Sequence, residues 1–314
     1  RDMANGSKKV AVIGAGNVGA TCAFVLAERK VGQVVLLDIY EGFAKGKALD
    51  MSQGGGVLNY DGRVTGTKDY ADIANSDVVV VTSGFPRQPG MTREDLIGKN
   101  ADIVLQVGEG IKQHAPNSVV VMVTNPLDLM TYHMQKVTGF EHSRVVGQAG
   151  ILDSARMTHF IAESVGCSNE DVQAMVLGGH GDTMVPLPRY TTVNGIPVSQ
   201  LLSDEEVEAI CQRTASGGGE IVKLLEKGSA FYAPGSAAAI MAEAILDDRK
   251  RVLPCSTYLS GEYGMDDIYI GVPVVLGRNG VERIIELELA DKELDSLQSS
   301  GYFYKEQLSE ILGY

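Results

Sequence analysis

The feature that most constrains this 314-residue chain is a series of short, valine-rich apolar runs separated by segments with helical spacing. The runs are VAVIGAG at 10–16, VVLLD at 34–38, DVVVVTSG at 77–84 and SVVVMVTNP at 118–126. They are continuous rather than alternating, which is typical of strands buried on both faces of a parallel sheet. Helical patterns lie between them, for example at 17–30 and 93–114. We therefore predict an α/β fold whose first half is a Rossmann-type, doubly wound parallel sheet.

The alternation of apolar runs and helical patterns stops after about residue 148, which predicts two domains, 1–148 and 149–314. Helical patterns in the second part lie at 151–166, 203–226, 235–248 and 291–311, and an apolar segment lies at 171–187. A hairpin is indicated at 271–285, because Asn279-Gly280 is a favoured tight-turn pair. This mixture predicts an α+β domain that would bind the substrate.

The net charge of −13 argues against nucleic acid or an anionic membrane as a partner, since both require a basic face. An anionic substrate would meet a repulsive average field, so its site needs concentrated positive charge. The segment FPRQPGMTRED at 85–95 carries Arg87 and Arg93 among two prolines and a glycine, which is typical of a loop. The two arginines are either ordinary solvated charges or part of such a site.

The four cysteines are dispersed and form no CxxC pair, which is typical of reduced thiols in an intracellular protein. No apolar run approaches the roughly 20 residues of a membrane span, and no signal peptide is visible. We therefore expect a cytoplasmic protein that neither spans a membrane nor binds a metal through its cysteines.

A GxGxxG motif, GAGNVG at 14–19, stands directly between a predicted strand and a predicted helix. Gly14 allows the tight turn, Gly16 lets a pyrophosphate approach the backbone, and Gly19 lets helix and strand pack closely. The phosphates would lie at the helix N-terminus, where N–H groups and the helix dipole favour negative charge. The other residues of the loop that we expect at the cofactor are Ala15, Asn17 and Val18.

Asp38 ends the second predicted strand, 19 residues after Gly19, close to the ~20-residue spacing expected of a ribose-binding acid. Its carboxylate would accept hydrogen bonds from the adenosine ribose and repel a 2′-phosphate, which favours NAD over NADP. The alternative is a glycine turn followed by an ordinary strand-end aspartate.

A competing motif is the YxxxK of short-chain dehydrogenases, matched by Tyr132 and Lys136. A chance match is unsurprising among 12 tyrosines, and the glycine motif of that family is usually spaced differently.

His180 is one of five histidines and stands in GGHGD, at the glycine-rich exit of an apolar strand, where functional loops are common. Asp153 and Arg156 lie three apart on one helical face. They form either a plain ion pair or a functional pair, in which one residue orients a histidine and the other binds a carboxylate. Asn125-Pro126 follows a strand at the carboxyl edge of the sheet, where ligands bind.

Together these motifs resemble the lactate/malate dehydrogenase superfamily in order and spacing, over essentially the whole chain. They are GAGNVG, Asp38, FPRQPGMTRED, VTNP at 123–126, ILDSAR at 151–156 and GGHGD at 178–182. Within the superfamily the chain resembles the lactate-dehydrogenase-like malate enzymes of bacteria. The resemblance implies an oxidoreductase of the tricarboxylic acid cycle that uses NAD, interconverts malate and oxaloacetate without a metal, and forms a homotetramer or a dimer.

The resemblance also implies roles for the acid–base and anion-binding residues. His180 would accept and donate the substrate proton, and Asp153 would hold its ring. Arg156 would grip the carboxylate beside the reacting carbon, and Arg93 would polarise the carbonyl when the loop closes. Arg87 would select the second carboxylate, because lactate enzymes typically carry glutamine there.

Other positions are implied to line the substrate and cofactor. Ala230 would leave room for the second carboxylate where lactate enzymes usually carry threonine. Asn125 would bond at the reacting oxygen, with a cis bond to Pro126. Those expected along the cofactor are Asn100, Val123, Thr124 and Asn125.

Two other interpretations of the chain stay open at this point. The first is a lactate or other 2-hydroxyacid dehydrogenase. The second is a catalytically silent dinucleotide sensor, which would need the glycine loop and Asp38 but not His180, Asp153 and three arginines together. A structural interaction protein would explain none of these residues.

Overall fold

The computed structural model describes residues 8–61, 63–86 and 91–314 of the chain. The strands are β1 (Lys9–Ile13), β2 (Gln33–Leu37), β3 (Val64–Thr67), β4 (Val78–Val81), β5 (Val119–Met122), β6 (Val145–Gly147), β7 (Val172–Gln173), β8 (Val176–Gly178), β9 (Met184–Pro186), β10 (Thr192–Val193), β11 (Ile196–Pro197), β12 (Arg251–Ser260), β13 (Asp266–Gly277) and β14 (Gly280–Ile284). The helices are α1 (Asn17–Glu28), α2 (Glu41–Leu58), α3 (Arg93–His114), α4 (Leu127–Thr138), α5 (Gly150–Val165), α6 (Asp204–Leu225), α7 (Tyr232–Leu246) and α8 (Asp291–Gln307). Short 3-10 helices lie at Tyr70–Ile73, His142–Arg144, Asn169–Asp171, Pro188–Tyr190, Val198–Gln200 and Glu262–Gly264, and a π-helical turn follows α8 at Leu308–Leu312.

The first half forms a parallel sheet in the order β3-β2-β1-β4-β5-β6. The strand order reverses between β1 and β4, which opens a crevice at the carboxyl ends of those two strands. Helix α1 packs against α2 and α7, whereas α3 packs against α4. The predicted Rossmann-type, doubly wound sheet is therefore confirmed.

The second half adds antiparallel strands to the same sheet, in the order β12-β13-β8-β9, with β14 paired to β13. Strands β7, β10 and β11 form a separate small sheet. The predicted α+β architecture of this half is confirmed. Its sheet continues the first one, because Ser256 of β12 pairs with Gly147 of β6.

The core follows from the continuous apolar runs of the sequence. All residues of β4 and β5 are buried, as expected for strands covered on both faces. In the part of the chain that the structure describes, no helix is both long enough and apolar enough to cross a membrane.

Several helices and strands begin or end where the sequence predicts. Helix α3 covers the predicted range 93–114 and begins with a capping box in which Thr92 and Asp95 exchange hydrogen bonds. The predicted hairpin is confirmed, with Gly280 at φ +87° at the start of β14. The apolar segment at 171–187 is divided among β7, β8 and β9, with Gly178 at φ +85°. This division leaves His180 in a turn after β8.

A close approach of β8 and β13 yields a prediction about stability. Gly271 on β13 pairs with Gly178, and a Cβ added at Gly271 would lie 2.5 Å from the Gly178 carbonyl oxygen. We expect Gly271→Ala to lower the free energy of unfolding by about 1–3 kcal/mol, since the strands must move apart. Denaturant unfolding checks this result.

Gly98→Ala is the matched control, because a Cβ at Gly98 within α3 meets nothing within 4 Å. Alanine there should leave the stability unchanged or raise it by up to about 1 kcal/mol. Equal stability of the two variants would contradict the proposed close approach.

Candidate functional site

A cleft of about 1290 Å³ opens at the carboxyl ends of β1, β4 and β5 and extends to side chains of the second half. The structure brings most of the predicted site residues to its lining. They are Gly16, Asn17, Val18, Gly19, Arg93, Asn100, Val123, Thr124, Asn125, Arg156, His180 and Ala230. The predicted residues that adjoin this lining through the contacts given below are Gly14, Ala15, Asp38 and Asp153. Arg87 lies outside the described residues.

The glycine loop has the shape that its sequence predicts. Gly14 has φ +105°, and a Cβ there would lie 2.7 Å from Ser83 N. A Cβ at Gly19 would lie 1.8 Å from the Gly14 carbonyl oxygen, so the packing of helix on strand requires glycine. Gly16 is the N-cap of α1 and has no side chain to accept the first N–H groups of the helix. These groups are therefore suited to an anionic ligand such as a pyrophosphate.

Asp38 secures the glycine loop from the end of β2. Its Oδ2 accepts the N–H of Ala15 at 2.8 Å, and its Oδ1 accepts the N–H of Tyr40 at 3.0 Å. Lys47 Nζ donates to the Ala15 carbonyl oxygen at 2.9 Å. The loop and its carboxylate together fit the phosphates and ribose of a dinucleotide.

Asn100 and Asn125 are joined at the end of β5. The Asn100 Nδ2 donates to the Asn125 carbonyl oxygen at 2.6 Å, and the Asn100 Oδ1 accepts the N–H of Phe85 at 2.6 Å. The Asn125-Pro126 bond is cis, as predicted. These bonds connect α3 to the ends of β4 and β5 at the floor of the cleft.

His180, Asp153 and Arg156 form a chain of contacts at the cleft wall. His180 Nδ1 donates to Asp153 Oδ2 at 2.9 Å, and Arg156 Nη1 donates to Asp153 Oδ1 at 3.2 Å. Asp153 is only 2% exposed, so one buried carboxylate serves both partners. Asp153 therefore forms an ion pair with Arg156 and also orients His180, whereas the binding of a carboxylate by Arg156 stays a prediction.

The environment of His180 raises the pKa of its imidazole. Burial acts in the opposite direction and is the largest single influence. The charge of Asp153, its hydrogen bond and the charge of Asp128 together outweigh burial, although Arg156 opposes them. The pKa of His180 therefore lies above the ordinary value for histidine.

Asp128, which was not predicted to lie at the site, contacts the turn that carries His180. It lies in the first turn of α4, where aspartate is a normal helix-stabilising residue and therefore gave no signal. Its Oδ2 accepts the main-chain N–H of His180 at 2.8 Å, and its Oδ1 accepts the Ser256 hydroxyl at 2.7 Å. The carboxylate thus connects the first helix after Pro126 to the turn that carries His180.

Arg156 packs against a glycine run in α6. A Cβ at Gly217 would lie 3.1 Å from Arg156 Cδ, and one at Gly218 would lie 3.5 Å from Arg156 Nη2. Small residues therefore leave space for the guanidinium next to the cleft. No pattern in the sequence marked these glycines as part of the site.

Arg93, at the start of α3, contacts helix α8. Its guanidinium lies over the Phe303 ring, 4.7 Å from the ring centroid. Phe303 and the buried Tyr304 come from α8 and also line the cleft. Both aromatic residues were missed, because a helix near the end of the chain carried no local sign of a site.

The competing YxxxK motif has other partners. The Tyr132 hydroxyl donates to Asp267 at 3.0 Å, and Lys136 Nζ lies over the Tyr132 ring at 4.8 Å from its centroid. Neither residue is among the described residues that line the cleft. The structure therefore gives Tyr132 a packing role on α4.

Two family models match consecutive parts of the chain. Residues 8–147 match the lactate/malate dehydrogenase NAD binding domain, and residues 151–313 match the lactate/malate dehydrogenase alpha/beta C-terminal domain. A malate dehydrogenase of Methanosarcina mazei is 53% identical, over 96% of this chain and 99% of that protein. A malate dehydrogenase of Roseiflexus castenholzii is 56% identical, over 93% of this chain and 95% of that protein.

Solved structures of both kinds of enzyme are similar to this chain. The malate dehydrogenase of Salinibacter ruber has a TM-score of 0.93 at 50% identity, over 97% of each chain. A lactate dehydrogenase of Cryptosporidium parvum, complexed with lactic acid and nicotinamide adenine dinucleotide, has a TM-score of 0.95 at 41% identity. The similarity to that enzyme covers 99% of this chain and 100% of the other.

The contacts of His180 predict how its protonation depends on Asp153. Asp153→Asn removes the anion but leaves the ring buried, so the pKa of His180 should fall below the ordinary histidine value. Nuclear magnetic resonance titration of isotope-labelled histidine, assigned with a His180→Asn protein, measures this pKa.

Asp182→Asn is the matched control for that titration. It removes a carboxylate close in sequence that has no described hydrogen bond to the ring. A fall of similar size in both variants would show that Asp153 has no special effect on the ring.

Proposed function

The chain belongs to the lactate/malate dehydrogenase family, and from this premise we propose that it catalyses reversible hydride transfer between (S)-malate and NAD⁺, giving oxaloacetate and NADH. The observation that carries the proposal is the chain of contacts from His180 through Asp153 to Arg156. It stands in one cleft with the glycine loop of an NAD-binding domain. A proton-transfer group and a carboxylate-binding cation therefore face the same space as the cofactor.

NAD, when bound, supplies the hydride acceptor for oxidation and, as NADH, the hydride donor for reduction. The N-terminus of α1 would hold the pyrophosphate and Asp38 would hold the ribose. Val123, Thr124 and Asn125 at the end of β5, with Asn100 beneath them, form the floor for the rest of the cofactor.

His180 moves the substrate proton in this proposal. Its Nδ1 is engaged by Asp153, so Nε2 is the ring atom left for the substrate oxygen. In malate oxidation neutral His180 accepts the hydroxyl proton, and in oxaloacetate reduction protonated His180 returns it. The raised pKa of His180 favours the protonated form, so reduction should stay fast to a higher pH than an ordinary histidine would allow.

The arginines bind the substrate and stabilise developing charge. Arg156 forms a two-point contact with the carboxylate next to the reacting carbon, which suits its planar guanidinium. Arg93 leaves the Phe303 ring and approaches the carbonyl oxygen, and Asn125 donates to the same oxygen. A fixed cation in a site closed to water is a strong electrostatic contribution to the rate.

Substrate choice is assigned to Arg87 and Ala230. Arg87 would pair with the second carboxylate of malate, and the small side chain of Ala230 leaves room for it. Leaving a buried carboxylate unpaired costs on the order of 3–5 kcal/mol. That cost corresponds to roughly two to three and a half orders of magnitude in rate, enough for one arginine to set the preference.

The relatives that share more than half of their residues with this chain are malate dehydrogenases, but similarity of fold alone does not separate the two acids. Both a malate dehydrogenase and a lactate dehydrogenase of Cryptosporidium parvum are 41% identical to this chain, with TM-scores of 0.94 and 0.95. The choice must therefore depend on a few side chains, which makes it directly testable.

The proposed substrate preference is tested by steady-state kinetics with oxaloacetate and pyruvate, each with NADH and NADPH. We expect the highest kcat/KM with oxaloacetate and NADH. Arg87→Gln should lower kcat/KM for oxaloacetate by about 100-fold or more and raise pyruvate relative to it, because the second carboxylate loses its partner.

Arg93→Lys is the matched variant, since Arg93 acts on the carbonyl that both acids share. It should lower kcat/KM for both acids by similar factors. Faster pyruvate reduction by the unmodified enzyme, or an unchanged acid ratio in Arg87→Gln, would refute the specificity assignment.

We also propose a homotetramer, with a dimer as the alternative, acting in the cytoplasm in the tricarboxylic acid cycle. Exposed apolar side chains on and beside α2 and α6 support burial between copies, for example Phe43, Leu49 and Leu224. Light scattering should give four times the 33.5 kDa chain mass, and a monomer would contradict the proposal.

A further inference from the structure

Asp128 is a buried carboxylate for which the mechanism above has no use. It is 2% exposed, and each carboxylate oxygen accepts one hydrogen bond. Among the described residues no lysine or arginine forms an ion pair with it. A buried anion without a cation is costly unless hydrogen bonds and local dipoles offset the lost hydration.

The surroundings of Asp128 offer two such offsets. Its position in the first turn of α4 places it at the positive end of the helix dipole. Its two hydrogen-bond donors come from distant parts of the chain, the main chain of His180 and the hydroxyl of fully buried Ser256. A positive charge on the imidazole of His180 also stabilises the ionised carboxylate.

His180 consequently stands between two carboxylates that come from two helices. Asp153 on α5 accepts the ring N–H, whereas Asp128 on α4 accepts the main-chain N–H of the same residue. Asp153 therefore controls the ring, and Asp128 controls the turn from which the ring projects.

We infer that Asp128 is a positioning residue of the proton-transfer site, which anchors the turn that carries His180 and presents a second negative charge to the imidazole. The inference rests on the proposed function only in assigning proton transfer to His180. Asp128 touches neither substrate nor cofactor in this role, since it acts through His180.

The charged groups around the pair define the expected effect. Those facing His180 are Asp153 and Arg156 on α5 and Asp128 on α4, and buried Tyr304 on α8 feels the charge of Asp128. Burial raises the pKa of Asp128 to about 6, against the hydrogen bonds from Ser256 and His180. Near neutral pH Asp128 is therefore mostly ionised, and its charge favours the imidazolium form of His180.

The experiment compares Asp128→Asn and Ser256→Ala with the unmodified enzyme. One measurement is kcat/KM against pH for reduction of the better keto acid with saturating NADH. The other is the nuclear magnetic resonance titration of His180 without substrate. For Asp128→Asn we expect both midpoints to fall by about half a unit to one unit, because the imidazolium loses a neighbouring anion.

Ser256→Ala keeps the carboxylate but removes one of its hydrogen bonds, so the midpoints should move in the same direction by less. Ser300→Ala is the matched control. The Ser300 hydroxyl accepts the N–H of Gly179, the residue next to His180, so its loss perturbs the same turn without removing a charge. Its midpoints should stay where they are in the unmodified enzyme.

Unmoved midpoints in Asp128→Asn, or shifts of equal size in Ser300→Ala, would overturn the inference. If Asp128→Asn does not fold, unmoved midpoints in Ser256→Ala would overturn it instead. Failure of the proposed function gives a different result. His180→Asn would then retain turnover, whereas the pKa of His180, measured in proteins that keep it, would still change with Asp128→Asn. NADH affinity, measured by fluorescence, should stay within about twofold in every variant if only the turn and its charge are affected.

Discussion

The close contact between Gly147 and Ser256 is the constraint on which the site depends. It joins the parallel strands of the first half to the antiparallel strands of the second in one sheet. A Cβ at Gly147 would lie 2.6 Å from Leu127 Cδ1 and 2.8 Å from Ser256 Cβ, so only glycine lets α4 and β12 meet there. This contact brings Asp128 on α4 within reach of both β12 and the turn after β8.

Packing contacts hold two arginines beside the cleft of this acidic protein. The chain carries a net charge of −13, which opposes the approach of an anion. Against that background Arg156 is held beside the cleft by Asp153 and by the glycines of α6, and Arg93 is held over Phe303. Asp153, the buried carboxylate that pairs with Arg156, also raises the proton affinity of His180.

Patterns within short stretches of sequence predicted several strands and helices correctly. The valine-rich runs became β1, β2, β4 and β5, and the range of α3 was predicted at both ends. Helix α2 carried no such signal, because Gly46 and the glycines at 54–56 lower its helix propensity and packing has to supply the difference. The partners of Asp128 could not be predicted either, since Ser256 lies 128 residues away and meets it only through the pairing of β6 with β12. The residue roles and the domain division remain predictions.

Asp38, which we propose sets the coenzyme preference, also holds the shape of the glycine loop. Its carboxylate is already the acceptor for the Ala15 and Tyr40 N–H groups, one on each oxygen. A residue without a side-chain acceptor at this position would leave these two donors unsatisfied. In evolutionary terms, if Asp38 also binds the ribose as proposed, changing the coenzyme through such a substitution would loosen the glycine loop as well. A second change, supplying a new acceptor for the loop, has to accompany or precede it.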